Sequence, residues 1–239
     1  MNRHLEFLLS SAYDRRDLHP EHLADLRKSG LSDETIRDHK IRTVPPLDMI
    51  DALLGYRAPN VKSAYLTPFP NPLGGWLDYV KLKVFAFDDV MTEVRADHID
   101  EYRDRRRYNG GRRKYLVQRA SAPRLYFPIP TMARALEGAE TLWIVEGMKK
   151  ALALMQLALP AIGIESAWSW HLKGSRGLLP DFDQVRLKGR GVKVVPDGDI
   201  NTEPMIARAY YGFVGALHRR GAHVQLVMLP PVPTPEVAA

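Results

Sequence analysis

Between residues 131 and 230 the chain repeats one unit: a short apolar run, an acid, then a helix-forming stretch. TLWIVEG is apolar up to Glu146 and Gly147, and MKKALALMQLAL follows with Leu152, Leu154, Met155 and Leu159 available to a sheet. AIGIES is a second apolar run, VKVVPDGD a third and HVQLVMLP a fourth. TEPMIARAYYGFVGALHRRG reads as a long helix, with Thr202 near its start and Gly221 past its end. Continuous apolar strands alternating with helices need crossover connections. The pattern therefore predicts an α/β domain with a parallel four-stranded sheet and helices on both faces.

The region ahead of it has another texture. Residues 1–60 read as helical. HPEHLADLRKSG sets Leu18, His22, Leu23 and Leu26 at helical spacings, and Ser32 is placed to cap SDETIRDHKI, with Asp33 and Glu34 in its first turn. Residues 61–130 are β-rich and basic. The turn Asn71-Pro72-Leu73-Gly74-Gly75 precedes LDYVKLKVF, which puts Val80, Leu82 and Val84 on one face and Tyr79, Lys81 and Lys83 on the other. KYLVQR and RLYFPIP read as two further short strands of a small antiparallel sheet. The expected organisation is an N-terminal α+β region over 1–130, the α/β domain over 131–230 and a proline-rich linker or tail over 231–239. That tail suggests a polypeptide continuing past residue 239.

Of 239 residues, 45 % are hydrophobic and 26 % charged, which excludes a disordered or low-complexity chain. The chain has no cysteine, so thiol nucleophiles and cysteine-ligated zinc are excluded. The start breaks into charge too early for a signal peptide and no long apolar run exists, so a cytoplasmic protein without membrane contact is expected. No P-loop lysine motif or dinucleotide fingerprint is present.

Net charge is +6, and Glu101–Ala120 alone carries seven Arg and one Lys against one Glu and one Asp, 8 − 2 = +6. Arg103, Arg105, Arg106, Arg107, Arg112, Arg113 and Lys114 surround the Asn109-Gly110 turn, with Tyr108 and Tyr115 between them. Guanidinium groups match phosphate and planar rings stack on bases, so this run is a candidate nucleic-acid contact. A solvated loop or a contact with an acidic protein partner is the other reading.

In an open parallel sheet, chemistry gathers beyond the carboxyl ends of the strands. Glu146 stands there on the first strand, and Asp197 and Asp199 on the third. Converging carboxylates repel unless a cation lies between them, and hard oxygens suit Mg²⁺ or Mn²⁺. The alternative is that each acid stabilises the helix that follows it. Lys149 is a candidate site residue and Lys150 a phosphate contact, one turn into the helix after Glu146. Asn201 is open to ligation or helix capping, and Trp168 and Trp170 to base stacking or core packing.

TLWIVEGMKKALAL, AIGIESAWSW, VKVVPDGDINTEPMIARAYYGFVGAL and GAHVQLVMLP together resemble a Toprim domain, the Rossmann-like fold of bacterial-type primases, topoisomerases and certain nucleases. The E-G-x-K-K-A form, EHLADLRKSGLSDETI and RLYFPIP resemble, more narrowly, a Toprim-like family. Its members stand at the N-terminus of phage and plasmid replication proteins, ahead of a helicase. The resemblance implies an Mg²⁺-dependent (or Mn²⁺-dependent) enzyme of primase-like nucleotidyl transfer, acting on single-stranded or template–primer DNA and nucleotides. It implies Glu146 as general acid or base, Asp197 and Asp199 as metal holders, and a helicase domain as partner. The primases' cysteine-rich zinc domain has no counterpart in this chain. A non-catalytic DNA-binding module and a phosphodiester nuclease are the competing readings.

Overall fold

The computed structural model describes residues 2–10, 13–14, 16–45, 47–58, 61–87 and 114–229. Most of the arginine run and the proline-rich tail lie outside these residues. The chain divides into two compact units, Met1–Ser121 and Ala122–Ala239.

The first unit carries helices α1 (Arg3–Leu9), α2 (Pro20–Lys28), α3 (Asp33–Asp38) and α4 (Leu47–Leu54). Its strands β1 (Arg42–Thr43), β2 (Val61–Leu66), β3 (Lys81–Phe87) and β4 (Tyr115–Val117) form an antiparallel sheet in that order. Ser32 caps α3, its Oγ accepting the Thr35 N–H at 3.1 Å. Val80, Leu82 and Val84 join Ala64, Leu66 and Leu116 in an apolar cluster with Leu5, Leu8, Ile50 and Leu53 of α1 and α4. The period-two reading of this strand holds.

The other face of that sheet is covered as well. Lys81 and Lys83 are only 6 % and 7 % exposed. Tyr65, Lys83 and Tyr115 stand side by side across β2, β3 and β4. The Lys83 ammonium pairs with Asp25 of α2 and lies 5.0 Å from the Phe85 ring centroid, while the Tyr65 hydroxyl donates to Asp25 at 2.9 Å. His22 shares Asp25's helix face at i, i+3 and is fully buried. Its ring nitrogens meet Thr43 Oγ1 at 2.9 Å and Ser63 Oγ at 3.2 Å. Burial lowers the His22 pKa to about 4; His19 and Lys83 act in the same direction and Asp25 opposes them. A lysine is tolerated inside because a carboxylate and aromatic rings meet it.

The second unit carries helices α5 (Met132–Glu137), α6 (Met148–Gln156) and α7 (Pro204–Arg219). Its strands are β5 (Leu142–Glu146), β6 (Ala161–Ile164), β7 (Gly191–Val195) and β8 (His223–Leu226). They pair in parallel in the order β6-β5-β7-β8. This is the α/β architecture expected from the strand–helix alternation. Ile144, Ile162 and Val194 pack in one cluster with Tyr210, Phe213 and Leu217 of α7. Gly163 looks to the opposite side: a Cβ there would stand 3.4 Å from the Ala151 Cβ of α6 and 3.2 Å from the Tyr126 Cβ. Helices therefore flank both faces, and only glycine leaves that approach open.

Some local readings change. α6 stops at Gln156 rather than reaching Leu159, because Ala158 turns to φ 56° and Pro160 follows. RLYFPIP makes a single bridge, Tyr126 to Gly163, instead of a strand. The Asp181 carboxylate holds it there, accepting the Arg124 guanidinium at 2.8 and 2.9 Å and the Leu125 N–H at 2.8 Å. The Trp170 ring is buried and stacked on Phe213 with centroids 5.5 Å apart, and Trp168 packs against the same cluster. Core packing is their role here. No helix among the described residues is long and apolar enough to cross a membrane.

Candidate functional site

The carboxyl edge of the parallel sheet is built from the ends of β5, β6 and β7. Val145 pairs with Val195, so Glu146 is level with Pro196, and Asp197 follows one residue beyond. Neighbouring strands run roughly 4.8 Å apart, which brings Glu146 and the Asp197–Asp199 turn to adjacent positions on one edge. Gly147, at φ 93°, turns the chain from β5 into α6. Asp197 opens a short 3₁₀ turn, Gly198–Asn201, which leads into α7. Glu203 occupies the N-cap position of α7, so Asn201 does not cap that helix.

The side chains at this edge have specific partners. Tyr210 of α7 is fully buried, and its hydroxyl donates to Glu146 Oε2 at 2.7 Å. The periodicity that puts Ala209, Tyr210, Phe213 and Leu217 against the sheet brings this phenol to the strand end. Lys150, in the first turns of α6, forms an ion pair with Asp197. Asp199 is exposed, and its backbone oxygen accepts the N–H groups of Thr202 at 3.1 Å and Glu203 at 2.9 Å. Lys149 is half-buried on α6.

Glu165 is a further acid at the same edge. Glu146 pairs with Ile164 at the end of β6, and Glu165 comes next, its Oε1 accepting the Arg124 N–H at 3.0 Å. The rule that singled out Glu146, an acid directly after an apolar run, applies equally to AIGIES. Tyr210 carries no such signal, because only the return of α7 over the sheet brings it to Glu146.

Among the described residues, no three His, Asp or Glu side chains converge as a metal-holding group. The donors are chemically suited to a hard divalent cation, yet Asp197 faces an ammonium and Glu146 a phenol. In this arrangement the edge is not a metal cage. Arg103, Arg105, Arg106, Arg107, Arg112 and Arg113 lie outside the described residues. Lys114 is exposed at the start of β4, with its ammonium 5.8 Å from the Tyr115 ring centroid.

Comparison with known proteins bears on the fold. No curated protein matches the chain. Residues 137–235, under half of the chain, match a family described as "Domain of unknown function (DUF3854)". Among the solved structures similar to this chain, three align at a TM-score of 0.55. One contains the zinc-binding and RNA polymerase domains of the Aquifex aeolicus primase, at 14 % identity over 89 % of this chain and 50 % of that one. The DnaG catalytic core is 16 % identical over 93 % of this chain and 68 % of its own. The DnaG primase catalytic domain, solved bound to single-stranded DNA, is 17 % identical over 93 % of this chain and 70 % of its own. The chain thus spans half the length of the Aquifex structure, and it has the fold of primase catalytic domains.

Proposed function

We propose that this chain is a Toprim-type nucleic-acid enzyme performing primase-like nucleotidyl transfer in phage or plasmid DNA replication. The observation that carries this reading is the placement of Glu146 and the Asp197–Asp199 turn on adjacent strand ends of a primase-like parallel sheet. Glu146, held by Tyr210, takes the proton of an attacking 3′-hydroxyl as general base. Lys149 faces incoming phosphate near the N-terminus of α6. The arginine run with Lys114 tracks a single-stranded or template–primer DNA backbone. Mg²⁺ or Mn²⁺ is the cation that Glu146, Asp197 and Asp199 would supply with hard oxygens, and it would support charge at the transferring phosphoryl group. A helicase domain is the partner implied for a longer polypeptide.

A second reading is a DNA-binding module without catalysis, favoured by the Lys150–Asp197 pair and by the lack of a three-ligand group among the described residues. One assay separates these readings. The chain is incubated with primed and unprimed single-stranded DNA, ribo- or deoxynucleotides and Mg²⁺. Extension supports nucleotidyl transfer, shortening replaces it with phosphodiester hydrolysis, and DNA binding with neither product leaves the non-catalytic module.

A further inference from the structure

The Lys150–Asp197 pair joins the first turns of α6 to the residue beyond β7, 47 residues apart in sequence, at the edge where Glu146 also stands. Lys150 reaches it because Gly147 turns the chain directly from β5 into α6, which brings the last residue of the E-G-M-K-K run to Asp197 beyond the end of β7. Glu146 accepts the Tyr210 hydroxyl and Glu165 the Arg124 amide. Asp197 meets a full positive charge.

We propose that Lys150 is a built-in counter-cation of this edge and that it competes with a divalent metal ion for Asp197. The ammonium occupies one oxygen of the Asp197 carboxylate and sets a positive charge beside the other, so a metal ion binding there meets one fewer free oxygen and a like charge. The side chains of Lys150 and Asp197 are 50 % and 39 % exposed, so the pair is weak and reversible in water. It is strong enough to offset the repulsion among neighbouring acids while no metal is bound, and weak enough for a dication to displace. Once displaced, the ammonium stays beside the N-terminal turn of α6, where a phosphate would take it up. The inference rests on the reading of this edge as metal-using, and it explains why the acids stand together without forming a cage.

The test uses the full chain and Mn²⁺ as probe, with free Mn²⁺ followed by electron paramagnetic resonance. Lys150→Met should bind Mn²⁺ roughly fivefold or more tightly than the unaltered chain at low salt, the size expected for removing a surface ion pair and a nearby positive charge. Lys150→Arg, which keeps the charge, should stay near the unaltered affinity. Adding Asp197→Asn to Lys150→Met should abolish the gain. Unchanged or weaker binding by Lys150→Met overturns the proposal, as does a gain that survives Asp197→Asn or a lack of Mn²⁺ binding in both proteins. Primer extension is read separately. Tighter Mn²⁺ binding without extension keeps the competition and removes the polymerase reading, whereas extension with unaltered Mn²⁺ affinity does the reverse.

Discussion

Tyr210, fully buried on α7, donates its phenolic hydrogen to Oε2 of Glu146 at 2.7 Å across 64 residues of sequence. The bond fixes one oxygen of the strand-end carboxylate and leaves the other for chemistry. Tyr210→Phe preserves the ring in its cluster and removes only this bond. Extension should lose about tenfold in kcat with the nucleotide KM held, and stability about 1–2 kcal/mol. Steady-state kinetics alongside urea denaturation check both, and equal kcat in the two proteins would leave Tyr210 a packing residue only.

Asp197 and Asp199 flank an exposed glycine in a short turn, so their side chains are not core elements. The double variant Asp197→Asn, Asp199→Asn should fold normally and lose Mg²⁺-dependent activity by roughly 10²-fold or more, the order set by electrostatic groups at a reacting centre. Circular dichroism and the extension assay together decide it. Full activity in the double variant would sink the assignment.

Asp25 and Lys83 form the polar centre of the first unit's second sheet face. Asp25→Ala strands a nearly buried ammonium and should cost about 3 kcal/mol. Asp25→Leu combined with Lys83→Met should recover most of that loss, because an apolar pair needs no compensation. Denaturant midpoints of the three proteins test the claim, and a double variant no better than Asp25→Ala would refute it.

His22 is held neutral in the folded chain, with its pKa lowered from 6.5 to about 4 by burial first, then His19 and Lys83, against the pull of Asp25. As pH falls from 6.5 to about 4, the unfolded chain binds a proton that the folded chain refuses. Stability from this residue is therefore complete above pH 6.5, declines through that window and is level below it. The stability advantage of the unaltered chain over His22→Gln should shrink by roughly 2 kcal/mol between neutral pH and the lower end of the window. An advantage independent of pH would mean that His22 titrates normally.

The arginine run should govern the salt dependence of DNA binding. Each neutralised phosphate on a single strand contributes roughly 0.7 to the log–log slope. Changing Arg105, Arg107, Arg112 and Arg113 to Gln should flatten the slope equally on unrelated sequences, with Mn²⁺ affinity at the acidic edge unchanged. Fluorescence anisotropy over a salt series reads it, and an identical slope would assign the run to another partner.

Much of this architecture was legible in the residues. TLWIVEG, AIGIES, VKVVPDGD and HVQLVMLP each became a strand of the parallel sheet, because buried parallel strands are apolar on both faces and stand out without periodicity. Ser32 capped its helix, and Val80, Leu82 and Val84 faced one core. VKSAYL, which became β2, was not legible as a strand, since a lysine and two small residues blur its alternation. Lys81 and Lys83 read only as the face opposite Val80, Leu82 and Val84, and both are buried there, Lys83 against Asp25 of α2. A lysine's surroundings depend on what packs over it, and that information is far away in the chain.

The sequence by itself determined the α/β class of the second unit, the acids at its strand ends and the glycines that turn the chain there. Local patterns suffice for these features, because apolar runs, strand-end acids and tight turns are read within a few residues. Only the tertiary structure decided the strand order β6-β5-β7-β8, the meeting of Tyr210 with Glu146 and the capture of Asp197 by Lys150. Each of these joins residues 47 or 64 positions apart or sets strands side by side out of chain order. Such pairings follow from how crossover helices pack back on the sheet, and no local spacing encodes them.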